Sequence, residues 1–91
     1  MYWDVVEVRP NAPRELAVTF ADGLTGTIYI DHSFCTGVFE TLKSDDVISQ
    51  ANIEGGVLVW PNGLDLAPDT MYKIIKHHPK RHYELRRPVA G

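Results

Sequence analysis

A single cysteine, Cys35, excludes an internal disulfide framework and points to a reducing compartment. The sequence has no basic stretch followed by an apolar core. Met1 runs straight into "YWDVVEV", so no secretory leader is expected. No apolar run approaches the ~18 residues that a membrane helix needs, so no membrane partner is expected. Glycine-rich phosphate loops are lacking too: Gly55-Gly56 has neither the lysine nor the helix context of one. There is no internal repeat and no low-complexity tract. What remains is ordinary globular composition, 44% hydrophobic and 23% charged over 91 residues, enough for one domain with one modest core.

Charge of one sign is scarce in each part of the chain. Residues 1–70 carry three basic and eleven acidic residues, whereas residues 71–91 carry six basic and one acidic. The cationic end, Lys73, Lys76, Lys80, Arg81, Arg86 and Arg87, is a candidate surface for phosphate or for an acidic protein. The acidic body opposes a nucleic-acid backbone and favours the protein.

Strand and helix signals alternate along the chain. Trp3–Arg9 is valine-rich and reads as a strand ending at Pro10. "ELAVTF" and "LTGTIYI" flank "ADG". A two-residue loop there splits the apolar residues between both faces. A three-residue loop sets Phe20 opposite Leu24 and Leu16 opposite Ile28, leaves one apolar face, and uses Gly23 for the left-handed residue. "VLVWPNGLDL" repeats the device: Pro61 and Asn62 suit the turn, Gly63 takes positive φ, and Trp60 falls opposite Leu64. "IEGGV" is a turn from Ile53 to the Val57 strand. Ser44 suits the cap of a short helix over "DDVISQA". Pro68 and Asp69 start a second helix, with a buried stripe at Met71, Ile74, Ile75 and His78, ending near His77 because Pro79 disfavours helix before it. "HYELR" has strand character, but a mobile end is favoured. The expected fold is α+β, an antiparallel sheet of two hairpins plus an N-terminal strand, packed on a C-terminal helix and a short one. Residues 1–78 form the domain and 79–91 a basic tail.

Chemical constellations are thin. Asp31-His32-Ser33 holds the residue types of a hydrolase triad, but neighbours in an extended chain point apart and cannot relay a proton. Cys35 reads as a small buried hydrophobe with nothing nearby to activate it. His77, His78 and His82 cluster, and His78 and His82 have helical spacing for a metal, but Pro79 breaks the helix between them and no cysteine or carboxylate completes the set locally. Asp65 faces solvent in a hairpin, and Asp69 serves the helix start. No catalytic residue, metal or cofactor is expected.

With "WDVVEVRP", "LAVTFADGLTGTI", "GVFETLKSDD" and, most specifically, "VLVWPNGLDLAPDTMY" in view, the chain resembles the domain of unknown function 2442 family over about residues 2–73. Trp60, Pro61, Asn62, Gly63, Asp65 and Pro68 match its signature. The resemblance implies a small bacterial α+β protein without catalytic residues. Some members sit in gene pairs that look like toxin–antitoxin modules, and others carry a helix-turn-helix domain after this one. The expected function is a cytoplasmic, non-enzymatic interaction module whose partner is another small protein. The alternative is a nucleic-acid-associated regulatory module using the basic end, and a homo-oligomer is compatible with either.

Overall fold

The computed structural model describes residues 1–61 and 63–87. Strand β1 runs Val5–Ala12, β2 Glu15–Phe20 and β3 Thr25–Ile30. Two 3-10 segments follow, His32–Phe34 and Gly37–Lys43, and then the short helix α1, Asp45–Ile48. Strands β4 (Asn52–Glu54), β5 (Val57–Val59) and β6 (Asp65–Leu66) precede helix α2, Pro68–His77, and strand β7, His82–Leu85. The fold is α+β. The hairpins lie in two sheets rather than one: a four-stranded sheet ordered β1-β2-β3-β7 and a three-stranded sheet ordered β4-β5-β6.

Both three-residue loops form as the pairing logic requires. Leu16 lies opposite Ile28, and the Phe20 amide donates to the Leu24 carbonyl at 2.8 Å. In the second hairpin Leu58 lies opposite Leu66, and the Trp60 amide donates to the Leu64 carbonyl at 2.9 Å. Gly23 and Gly63 adopt φ of +94° and +88°, and nothing lies within 4 Å of a Cβ built at either. Substitution there meets backbone strain without a clash. Gly23→Ala and Gly63→Ala should each destabilise by about 1 kcal/mol, read from urea midpoints. An unchanged midpoint in both would refute the shared turn geometry.

Several boundaries differ from the sequence reading. β1 starts at Val5 and continues through Pro10 to Ala12. It is an edge strand, so the amide hydrogen that proline lacks is not needed, and the register shifts between Pro10 and Ala12. On α2 the core face is Met71, Tyr72 and Ile75, while Ile74 is 37% exposed. Tyr72 turns inward because its hydroxyl donates to the Asp22 carboxylate and its ring meets Phe20 edge to face. Ser44 occupies the cap of α1 without a side-chain bond; its carbonyl accepts from the Val47 and Ile48 amides.

Residues 82–85 are not a loose end. β7 pairs parallel with β3, Thr27 to His82 through Ile30 to Leu85, and Leu85 is buried. The close fit is visible at Gly26, where a Cβ would meet the Ile75 side chain at 2.5 Å and the Arg81 carbonyl at 2.8 Å. The folded unit therefore extends beyond residue 78. Leu85→Ala should cost about 2–5 kcal/mol, and removing 79–91 should unfold much of the population. A truncated chain that melts like its parent would show that β7 is dispensable.

Candidate functional site

Trp60 closes β5 and is 2% exposed, with its indole N–H donating to the Ile48 carbonyl at 3.2 Å. That bond ties the second sheet to α1. Pro61, Gly63 and Asp65 are exposed around it, and Pro68 is half-buried at the first turn of α2. Asn62 lies outside the described residues. Trp60, Pro61, Gly63 and Asp65 line a shallow cleft of about 370 Å³, together with Asn52 and Glu54. Trp60 contributes to it as a wall and is otherwise part of the core. The signature is thus chiefly a turn and a helix start.

The cationic residues do not share one cleft. Lys73 and Lys76 line a groove of about 440 Å³ with Tyr2, Trp3, Asp69 and His77. Lys80 and Arg81 border a different one, beside Glu7 and Arg9. Arg81 also donates to the Lys76 carbonyl. Arg86 is held by Glu84 at 2.9 Å and faces Asp31 at 3.5 Å, and the Arg87 amide donates to the Ser33 hydroxyl at 3.1 Å. Arg86 is held more firmly protonated by Glu84, with Asp31 adding to the effect.

Asp31 and Ser33 do meet, contrary to the extended-chain expectation. β3 ends at Ile30, and Asp31 caps the following 3-10 turn, accepting from the Ser33 hydroxyl at 2.5 Å and the Ser33 amide at 3.0 Å. These bonds from Ser33, with Arg86 beyond, hold the Asp31 carboxyl below its usual range. Ser33 closes on Asp31 directly, so the arrangement is a helix cap. His82 shares a 2.7 Å hydrogen bond with the Thr27 hydroxyl, and the His78 and His82 rings lie 6.1 Å apart. Among the described residues no three His, Cys, Asp or Glu side chains gather as a ligand set.

The residue that sequence reasoning missed is Arg14. It has φ +62° and is 6% exposed, the one charged side chain buried among the described residues. Its guanidinium donates to the carbonyls of Ile30 (2.7 Å), Leu42 (2.8 Å) and Lys43 (3.0 Å), to the Asp45 carboxylate (2.9 Å) and toward the Cys35 sulfur (3.4 Å). All five N–H groups of an arginine thereby find acceptors. Cys35 does have a cationic neighbour after all. Burial pushes its thiol up, and Arg14 offsets part of that rise.

The Tyr72 hydroxyl and the Asp22 carboxylate form the other polar link, from the first hairpin loop to α2. That bond holds the Asp22 carboxyl below its usual range, aided by the Leu24 amide, and pushes Tyr72 up to about 12. A raised phenol stabilises fully below its ordinary value of 10.0, and that contribution is lost as pH climbs toward 12. A lowered carboxyl stabilises above about pH 4, and that contribution is lost as pH falls through the folded value. Tyr72→Phe should flatten both limbs of a plot of urea midpoint against pH. Identical limbs in parent and variant would contradict the linkage.

A family model described as "Protein of unknown function (DUF2442)" matches residues 5–77. The chain belongs to this family. The DUF2442 match covers both hairpins and all of α2, while Tyr2, Trp3 and β7 lie outside it. No curated protein and no solved structure matches the chain. The family description assigns no activity, and no helix among the described residues is long and apolar enough to cross a membrane.

Proposed function

We propose that this DUF2442 chain is a non-enzymatic, cytoplasmic protein-interaction module of a bacterium, the antitoxin-like half of a two-protein pair. The observation that carries this reading is apolar surface left in water at the start of the chain. Tyr2 is 55% and Val6 58% exposed, and Met1 is more so. Three large apolar side chains left in water within six residues of one another supply material for a contact surface. β1 adds an outer sheet edge, although Pro10 and its register shifts blunt that edge against strand addition. Lys73 and Lys76 line one cleft and Lys80 and Arg81 another, and this division favours a protein over a nucleic-acid backbone.

The test is affinity capture of the chain from its native host, identification of co-purifying protein by mass spectrometry, and reconstitution from purified components. A defined stoichiometric complex with a second small protein is expected. Recovery of nucleic acid alone, bound tightly at physiological salt, would replace the reading with a regulatory nucleic-acid module.

A further inference from the structure

The groove between α2 and the first residues of the chain has the form of a peptide site. Asp69, Lys73, Lys76 and His77 fall on one face of α2, at helical spacing, and they form one wall. Tyr2 and Trp3 form the other. The floor is Tyr72, whose buried ring is fixed by its hydroxyl bond to Asp22. From Asp69 to Lys76 the helix advances about 10 Å, the span of about three residues of extended chain.

Tyr2 is the unusual member. Most of its side chain is in water, yet its ring is held in place by edge-to-face contacts with Trp3 at 4.8 Å and Tyr72 at 5.1 Å. An exposed, pre-positioned aromatic is the kind of group that anchors a partner at little cost in lost freedom. The charges run in one direction along the wall. Asp69 stands at the helix start, and Lys73 and Lys76 follow, with the Lys76 ammonium 5.6 Å from the centre of the Tyr72 ring. The Asp22 carboxylate is turned to the Tyr72 hydroxyl.

We infer that this groove binds an extended acidic segment of the partner protein, with an aromatic or aliphatic side chain on Tyr2 and Trp3 and flanking carboxylates on Lys73 and Lys76. Charge complementarity selects this occupant: the two lysines want carboxylates, the rings want an apolar side chain, and an alternating acidic–apolar segment offers both within the groove's length. The inference rests on the reading of the chain as an interaction module.

The test uses the full chain, isotope-labelled for amide NMR, and three probes: a blocked peptide of glutamate, phenylalanine, glutamate and leucine; its counterpart with lysine for glutamate; and hexathymidylate. The acidic peptide should shift the amides of residues 2–3 and 69–77 saturably, and the lysine peptide should not. Lys73→Glu with Lys76→Glu should weaken the acidic peptide by about tenfold, the sum of two surface charge contacts, and should admit the lysine peptide. Tyr2→Ala should weaken the acidic peptide without reversing that preference, and a thermal melt checks that each variant folds. Hexathymidylate shifting the same amides at lower concentration would overturn the inference in favour of a base-stacking site. Shifts on simple dilution of the chain would make a second copy the occupant. An absence of shifts with the acidic peptide would reject the groove. If the captured partner binds the double-lysine variant as tightly as the parent, the groove is wrong and the interaction module stands. If no protein partner exists, both fall.

Discussion

Arg14→Met should lower the unfolding free energy by about 3–5 kcal/mol. Methionine fills much of the same space and removes every donor. The carbonyls of Ile30, Leu42 and Lys43 then lose the guanidinium that satisfied them. The ion pair with Asp45 contributes little to that loss, because the carboxylate is largely in water. Arg14→Lys should recover only part of the loss, since one ammonium cannot reach acceptors spread across a planar fork. The segment from Gly37 to α1 is a 3-10 stretch and a single helical turn outside both sheets, so it should loosen first, visible as faster amide exchange over residues 37–48. Denaturant midpoints and hydrogen exchange together decide the matter. If Arg14→Met melts within about 2 °C of the parent, the guanidinium does not hold this segment on the sheet.

Trp60→Ala should cost about 3–5 kcal/mol, a large share of what a small domain has. The indole fills space beside Ile48 and Leu58 in the common core and supplies the bond to the Ile48 carbonyl. Trp60→Phe separates the two contributions: it keeps a ring, drops the donor, and should cost about 1 kcal/mol for the lost bond plus any loss from the smaller ring. Urea denaturation of both variants is the check. Parent-like stability of Trp60→Ala would make the tryptophan a surface ligand.

The hairpins were legible because their signal is local. Alternating apolar residues and a glycine in the third loop position leave one register that buries Leu16 with Ile28 and Leu58 with Leu66. The start and stop of α2 were legible for the same reason, from Pro68 and from Pro79. Arg14 was not, because its acceptors are mostly backbone carbonyls 16 to 29 positions away, which no side-chain pattern announces. Cys35 is the small buried residue it reads as, and only the guanidinium beside its sulfur went unseen with Arg14. β7 was missed because "HYEL" is a weak strand pattern, and what makes it a strand is the waiting edge of β3. Of the candidate groove, the sequence offered Lys73 and Lys76 but not Tyr2 and Trp3. Trp3 reads as the beginning of a strand, and the two rings become a wall because the chain turns before Val5, where the Asp4 amide donates to the Met1 carbonyl.

The parallel join of β3 to β7 has a consequence for biosynthesis. Thr27 pairs with His82, so the partner of β3 is made 55 positions later than β3 itself. At about 5–20 residues per second of synthesis, the nascent chain carries β3 with one side unpaired for roughly 3 to 11 s. During that interval "TGTIYI" is an unfinished template, and its threonines and Gly26 make it a poorer one than an all-apolar strand. Closing so long a loop also places this pairing late in the order of folding. The second sheet and α2 can assemble before it, and the final strand then locks a structure already largely built.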